Sequence, residues 1–227
     1  MSERVANVKA FLLRKENRYL WYSSILLIYL LGFTLVEALI PAEACKPTYI
    51  PLDDHIPFLE GFVVPYLLWF PMILAMGAYL AWFDHEGFKR YMVFLGLTLY
   101  TTLILYVLFP NRQDLRVPVF SRDNLFTRLV AIIYSQDTNT NVCPSIHVIG
   151  SAAVAFAAWR CPRLRRRPVA VIAIWIFSAV VAVSTVFVKQ HSALDIFVAI
   201  PLCVVAYPIA YRFMFRKANL RRIPAKS

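Results

Sequence analysis

Six long apolar runs set the strongest constraint on what this chain can fold into. About 20 apolar residues in a helix cross the hydrocarbon core of a bilayer, which is about 30 Å thick. Of the 227 residues 60% are apolar and only 16% are charged, too few for the surface of a soluble domain of this length. The runs are Trp21–Ile40, Phe62–Phe83, Tyr91–Pro110, His147–Trp159, Val169–Phe187 and Ser192–Tyr211.

These runs predict an all-α polytopic membrane protein, a single bundle of six transmembrane helices over residues 1–227. The fourth run is short, so its helix is expected to start before His147 or to end beyond Trp159. A cleavable signal sequence is not predicted, because the first apolar run is too long for a signal-peptide core. Before it, one helical face carries Val5, Val8, Phe11 and Leu12, which leaves open an interfacial helix or a frayed basic tail.

The positive charges of the chain are unevenly distributed between the two sides of the predicted bundle. The net charge is +11, and most of the 24 Lys and Arg residues fall on the side that holds both termini. They lie in the N-terminal segment, at Lys89 and Arg90, in the run RCPRLRRRP and in the C-terminal tail. Such asymmetry predicts that both termini are cytoplasmic and that the arginine-rich run contacts anionic lipids. No nucleic-acid partner is expected.

Metal and disulfide chemistry have weak support in the sequence. The cysteines Cys45, Cys143, Cys161 and Cys203 lack the spacing of a metal site. Cys45 and Cys143 fall on the outer side, where a disulfide is allowed but not required. The carboxylates of the DDH stretch, Asp53–His55, stand in a polar loop and are interpreted as solvated. No metal and no other cofactor is expected.

The predicted topology brings three stretches to the outer face of the bundle. They are FPNRQDLRVP (Phe109–Pro118), NVCPSIHV (Asn141–Val148) and STVFVKQHSALD (Ser184–Asp195). The loop between the first two is too long for a simple connector. Apolar residues recur there at helical spacing, at Leu125, Leu129, Ile132 and Ile133. They predict a short interfacial helix that shapes a lipid entrance.

Several residues of this face suit the binding of a phosphate group. Arg112 and Arg116 offer forked donors and Lys189 a point charge. Ser145 follows Pro144 at a predicted helix start, where its hydroxyl and the free backbone N–H groups form an anion pocket. Any one of the cations could instead extend to lipid headgroups, so the prediction depends on the three stretches together.

Two histidines on the same face suit phosphoryl transfer through a covalent intermediate. One attacks phosphorus and the other protonates the leaving oxygen. Asp195 follows His191 by four residues, so on a helix the two share a face, and the carboxylate can orient the imidazole. His147 is the second histidine.

These residues resemble the motifs of the type 2 phosphatidic acid phosphatase superfamily. PSIH, Pro144–His147, is similar to its PSGH signature. Ser184, His191 and Asp195 match the spacing of its third motif, which reads Ser-Arg, five residues, His, three residues, Asp. Arg116 with Pro118 resembles the end of its first motif. The resemblance covers residues 109–200.

The resemblance implies a role for each matched position. His191 is implied to be the nucleophile that becomes phosphohistidine, and Asp195 to orient it. His147 is implied to be the general acid for the leaving group, and Ser145 and Arg116 to bind phosphate oxygens. The family needs no metal.

The sequence also departs from the motifs of the family. Thr185 stands where the third motif has its arginine, and Lys189 is the expected substitute. Phe109 stands where the first motif has lysine, and Arg112 is the nearest replacement. Ile146 replaces the glycine of PSGH.

The resemblance implies a membrane lipid phosphatase that acts on a phosphomonoester or pyrophosphate, with a lipid phosphate as substrate and membrane lipids as partners. A lipid headgroup phosphotransferase, similar to inositolphosphorylceramide or sphingomyelin synthases, is the second interpretation, because that branch shows similar departures. A small transporter or lipid-binding scaffold is the third. Phosphatidate, phosphatidylglycerophosphate and polyprenyl pyrophosphate all remain open as substrates, and so does the oligomeric state.

Overall fold

The structure of the protein is a computed structural model, and it describes residues 14–214. The N-terminal segment with Val5, Val8, Phe11 and Leu12, for which the sequence leaves open an interfacial helix or a frayed basic tail, lies outside the described residues. Most of the C-terminal cations lie outside them as well.

The described part is mostly helical, as the apolar runs predict. Its elements, in chain order, are a 3-10 helix (Lys15–Ser23), α1 (Ser24–Leu39), a 3-10 turn (Ala42–Ala44), β1 (Lys46–Pro47), two 3-10 turns (Pro51–His55 and Glu60–Phe62), α2 (Val63–Leu67), α3 (Trp69–Phe83), α4 (His85–Leu108), β2 (Asn111–Arg112), α5 (Leu125–Gln136), α6 (Ile146–Arg160), α7 (Pro162–Arg165), α8 (Pro168–Phe187), α9 (Ala193–Pro208) and a π-helical turn (Ile209–Phe213).

Five helical segments within residues 14–214 are long and apolar enough to cross a membrane. They are Lys15–Leu39, Glu60–Phe83, His85–Leu108, Pro168–Phe187 and Ala193–Phe213. The predicted fourth span is α6, which extends past residues 147–159 by one residue at each end. At about 1.5 Å per residue, its 15 residues cover about 22 Å, less than a hydrocarbon core. The structure therefore supports five spans, and the sixth is not confirmed.

α6 lies in the middle of the bundle, and helices α3, α4, α8 and α9 pack around it. Most of its side chains are buried, and many are small: Gly150, Ser151, Ala153, Ala155, Ala157 and Ala158. Small residues let helix backbones approach closely where lipid supplies no hydrophobic driving force. The position of α6 thus explains how a short helix is accommodated: its neighbours, rather than lipid, surround it.

The loops at one end of the bundle are tied to one another. β1 pairs with β2 in parallel, and Arg112 forms a further bridge to Thr140. The predicted helix in the long loop is present as α5, although its location at a membrane surface is not shown. The three stretches singled out in the sequence all lie at this end, which is called the loop end below.

The opposite end of the bundle carries the described clusters of basic residues. The start of α4 meets the Lys15–Ser23 helix there, where the rings of Tyr19 and His85 stack at 4.0 Å. Arg163 of the arginine-rich run lies over the ring of Phe83 at 4.2 Å. The charge asymmetry predicted from the sequence therefore separates the two ends of the described bundle.

The four cysteines are free thiols, so the optional Cys45–Cys143 disulfide is not formed in this structure. Cys45, Cys161 and Cys203 are buried.

We predict that Gly150→Ala destabilises the bundle. A Cβ at this position would lie 2.5 Å from Ile73 Cδ1 and 2.5 Å from Trp69 Nε1, so α3 and α6 would have to separate. Overpacking of this kind costs about 1–3 kcal/mol. The measurement is thermal unfolding in detergent. Gly61→Ala is the matched control, because a Cβ there meets nothing within 4 Å. Equal melting temperatures for the two variants would contradict the prediction.

Candidate active site

His191 and Asp195 meet at the start of α9. Asp195 Oδ2 lies 3.0 Å from His191 Nδ1 and accepts the backbone N–H of Ser192 at 3.1 Å. Both side chains are buried. The sequence placed His191 and Asp195 on one helical face, but α9 begins only at Ala193. The contact is therefore made across the helix cap, where a carboxylate at the third helical position reaches back to the capping residue.

Ser145 and His147 reach the same point from α6. Ser145 is fully buried at the N-cap of the helix, and its Oγ lies 3.4 Å from His191 Nε2. The first backbone N–H groups of a helix have no partner within it, so the start of α6 offers donors for an anion next to His191. Ile146 is the first helical residue, so the isoleucine of PSIH adopts an ordinary backbone conformation.

The imidazole of His147 is enclosed by aromatic rings. Its centroid lies 4.5 Å from that of Tyr66 and 4.3 Å from that of Trp69. The rings of His147 and His191 are 5.4 Å apart and nearly perpendicular. His147 Nδ1 is buried and has no hydrogen-bond partner within residues 14–214. The structure therefore places two histidines and a serine within reach of one small group.

Arg116 bridges the loop end rather than pointing a free guanidinium at the histidines. It donates from Nε and Nη2 to Gln190 Oε1, at 3.2 and 2.8 Å. Nη1 donates to the carbonyl of Tyr134, and Nη2 to the carbonyls of Asp137 and Thr138. These bonds engage all three guanidinium nitrogens. A role of Arg116 in binding phosphate stays a prediction.

The other two cations predicted to bind phosphate also have protein partners away from the histidines. Lys189 Nζ donates to the backbone carbonyls of Asp53 and Ile56, at 3.0 and 2.6 Å. Partial burial lowers the pKa of Lys189, opposed by the negative charges of Asp53 and Asp54. Arg112 pairs with Asp114 at 3.1 Å and is partly exposed. The structure therefore gathers His191, Asp195, Ser145 and His147, but it shows neither Lys189 nor Arg112 directed at them.

Cys143 lies next to the site in the loop before α6. Burial and the negative charge of Asp195 raise the pKa of Cys143 to about 12. The thiol is therefore protonated at neutral pH, and a protonated thiol is a poor nucleophile. Within the described residues 14–214, no group of three or more His, Cys, Asp or Glu side chains could hold a metal ion.

The family model of the PAP2 superfamily matches residues 96–219, more than half of the chain. The chain belongs to the PAP2 superfamily. The resemblance inferred from the motifs is thereby confirmed. No match was found among the curated proteins or among the solved structures. The matched region contains the two histidines, Ser145 and Asp195, and it excludes α1 to α3 with the loops between them.

Three residues that the sequence did not single out as site residues fix the loop before α6 in this PAP2 protein. Asn111 Oδ1 accepts the N–H groups of Val142 and Cys143, at 2.9 and 2.8 Å. Tyr106 donates its hydroxyl to the carbonyl of Pro144, and Glu37 accepts from the side chains of Thr138, Thr140 and Asn141. The sequence signal that could have identified Asn111 is its position directly before Arg112, a candidate phosphate ligand.

Asp53 was interpreted from the sequence as a solvated carboxylate, and that interpretation is wrong. Its residue is 2% exposed, whereas its neighbour Asp54 is exposed. Asp53 accepts from Ser192 Oγ at 2.6 Å and from the N–H of Ala193 at 2.7 Å. A polar loop can bury one of two adjacent carboxylates when a helix start lies against it, which spacing alone does not reveal.

Proposed function

We propose that this PAP2 protein is an integral membrane lipid phosphatase, which hydrolyses a lipid phosphomonoester or pyrophosphate through a phosphohistidine intermediate. Superfamily membership and the apolar helices support a membrane phosphatase or phosphotransferase. One observation carries the finer assignment. His191 has Nδ1 against the buried carboxylate of Asp195 and Nε2 toward Ser145 at the start of α6.

In the first half-reaction, His191 Nε2 attacks the phosphorus atom and forms the N–P bond. The bond from phosphorus to the lipid oxygen breaks, and His147 donates a proton to that oxygen. Asp195 accepts the Nδ1–H hydrogen bond, which selects the tautomer with a free Nε2 lone pair. Its negative charge also stabilises the imidazolium that the attack produces.

In the second half-reaction, water attacks the phosphohistidine. His147, now deprotonated, takes a proton from the water, and the N–P bond breaks. Inorganic phosphate leaves, and His191 and His147 return to their starting forms. The 5.4 Å between the two ring centroids is compatible with a phosphoryl group reached by both.

The start of α6 has the strongest support as the phosphate subsite. Its free N–H groups and the positive end of the helix dipole favour an anion without further cations. Ser145 Oγ adds a donor, and Arg116 supplies positive charge at the loop end. Arg112 and Lys189 keep their predicted roles as candidates, with less support from their contacts.

A lipid headgroup phosphotransferase is the second candidate. Thr185 and Ile146 depart from the phosphatase motifs. Similar losses occur in the lipid phosphotransferase branches of the superfamily. The first half-reaction is the same, and an alcohol replaces water in the second. Phosphatase and transferase differ only in which acceptor reaches the phosphohistidine.

The site is proposed to face the extracytoplasmic side of the cell membrane, with both termini cytoplasmic. The described basic clusters lie at the end of the bundle opposite the histidines. By the positive-inside rule that basic end is cytoplasmic. Two cytoplasmic termini require an even number of crossings, so α6 is proposed to act as the sixth span.

Turnover of a lipid panel tests the reaction class. Purified protein should release phosphate from phosphatidate, phosphatidylglycerophosphate or polyprenyl pyrophosphate, because the site combines a nucleophile with a proton donor. The release should persist in excess EDTA, since helix N–H groups and Arg116 supply the positive field. A phosphorylated alcohol formed at the expense of free phosphate would indicate a transferase. Absence of turnover would favour a transporter or scaffold, and loss restored by magnesium or zinc would contradict metal independence.

His191→Ala is expected to reduce turnover to background, because it removes the nitrogen proposed to form the covalent bond to phosphorus. His147→Ala should turn over slowly and accumulate phosphoenzyme on substrates with good leaving groups. The measurement is phosphate release together with acid-labile protein phosphate. His85→Ala is the control, because His85 stacks on Tyr19 at the basic end. Normal turnover by purified His191→Ala would exclude the mechanism.

Thiol labelling in intact cells tests the orientation. In a background without the native cysteines, Ser121→Cys should react with an impermeant maleimide, because Ser121 is exposed at the loop end. Arg165→Cys, exposed in the arginine-rich run, should react only after the membrane is opened. The reverse pattern would place the site on the cytoplasmic side.

A further inference from the structure

The loop of residues 50–56, called the Asp53 loop here, packs against the turn that carries His191. It lies between α1 and α2, outside the region that matches the PAP2 superfamily. The hydrogen bonds between them centre on the carboxylate of Asp53 in the loop and the ammonium of Lys189 in the turn.

Asp53 binds the start of α9 with both carboxylate oxygens. Oδ1 accepts the N–H of Ala193 at 2.7 Å, and Oδ2 accepts the hydroxyl of Ser192 at 2.6 Å. Oδ2 also accepts the N–H of Ile50 at 2.9 Å, which fixes the carboxylate to its own loop. A carboxylate next to a helix start is favoured by the helix dipole.

The contact reaches His191 through one further residue. Ser192, which Asp53 holds by its hydroxyl, donates its N–H to Asp195 Oδ2 at 3.1 Å. The same oxygen faces His191 Nδ1 at 3.0 Å. A shift of Ser192 would therefore move the oxygen that orients the imidazole.

Lys189 also binds the Asp53 loop, from the turn before His191, and its backbone has a strained left-handed conformation. α8 ends in a Schellman motif, in which the N–H of Gln190 binds the carbonyl of Thr185 and the N–H of Lys189 binds that of Val186. Lys189 occupies the left-handed position of this motif, with φ 56°, where glycine is usual. A side chain there costs about 1–2 kcal/mol, so the lysine is explained by what its ammonium binds. That ammonium donates to the carbonyls of Asp53 and Ile56.

We propose that Asp53 is a positioning residue for His191, and that Lys189 acts with it by holding the Asp53 loop in place. The inference rests on the proposed function for its kinetic consequence, but its geometry is independent of the substrate. For Lys189 it is an alternative to direct binding of phosphate. Two roles compete with it: a phosphate-binding Lys189, and an Asp53 that only stabilises α9.

Kinetics of Asp53→Asn test the proposal, because this change keeps the shape of the side chain and removes its charge. The expected result is a fall in kcat of about 10- to 100-fold with KM within about twofold, as for outer partners that orient functional side chains elsewhere. Asp54→Asn is the matched control, because Asp54 is exposed and binds the hydroxyl of Tyr49. If Asp53→Asn only lowers the melting temperature and leaves kcat per folded enzyme unchanged, Asp53 is a structural cap and the proposal is wrong.

Lys189→Gly separates the two roles of the lysine. Glycine suits the left-handed backbone, so the turn should persist without the ammonium. A positioning role predicts a lower kcat, and a Lys189→Gly/Asp53→Asn double variant hardly worse than Asp53→Asn, because both changes release the same loop. A higher KM, with effects that multiply in the double variant, would make Lys189 a phosphate ligand and overturn its part in the proposal.

Histidine NMR supplies a readout that needs no turnover. The chain has four histidines, and His191→Gln assigns the signal of His191 in ¹⁵N-histidine-labelled protein. Asp53→Asn should change the tautomer balance of His191, and Asp54→Asn should not. An altered signal with no activity in the wild-type protein would support the positioning role and refute the proposed function. Activity in the wild-type protein, with signal and kcat unchanged by Asp53→Asn, would refute the positioning role alone.

Discussion

The fully buried Asp195 joins the two helices on which the candidate site depends. Its carboxylate faces His191 and accepts the N–H of Ser192, which caps α9. Its backbone carbonyl accepts the N–H of Ser145, which caps α6. A buried carboxylate without partners would be costly, so these bonds are a condition of its burial. One residue thus fixes His191 and the start of α6 relative to each other.

The loop end shows how an apolar bundle can hold a polar site. Loops at the end of a membrane bundle have backbone groups that no helix satisfies, and each needs a partner if it is buried. Asn111 and Tyr106 satisfy the loop before α6, and Arg116 satisfies the carbonyls after α5. Because many charged and amide side chains of the described loop end are used in this way, fewer of them are available for a ligand. This supports the proposal that the start of α6, with Ser145, is the phosphate subsite.

The sequence predicted the helical bundle, the family and the meeting of three distant stretches, because apolar length and motif spacing are local signals. It showed that the fourth apolar run is short, but it could not show that α6 extends this run by only one residue at each end. The neighbouring helices pack closely on small residues such as Gly150, and that packing is visible only in the fold. It also could not predict the partners of Arg116 and Lys189. The sequence around a cationic residue does not show whether its side chain binds a ligand or a backbone carbonyl. Only the fold shows which carbonyls lie near it. The burial of Asp53 could not be predicted for the same reason, because only the fold brings the start of α9 against it.

Thr185 occupies a motif position whose side chain differs from that of the family but whose backbone still makes contacts with the turn. The resemblance places an arginine there, and the threonine is buried with its hydroxyl on the carbonyl of Ala182. Its own carbonyl nevertheless accepts the N–H groups of Gln190 and His191, at 2.9 and 3.2 Å. The backbone at this position therefore shapes the turn that carries His191, whichever side chain residue 185 has. The arginine's absence removes a charge, whereas the backbone hydrogen bonds that hold His191 do not depend on the side chain of residue 185. Under the proposed mechanism, the phosphate must therefore be bound by other groups, with the start of α6 as the best-supported one.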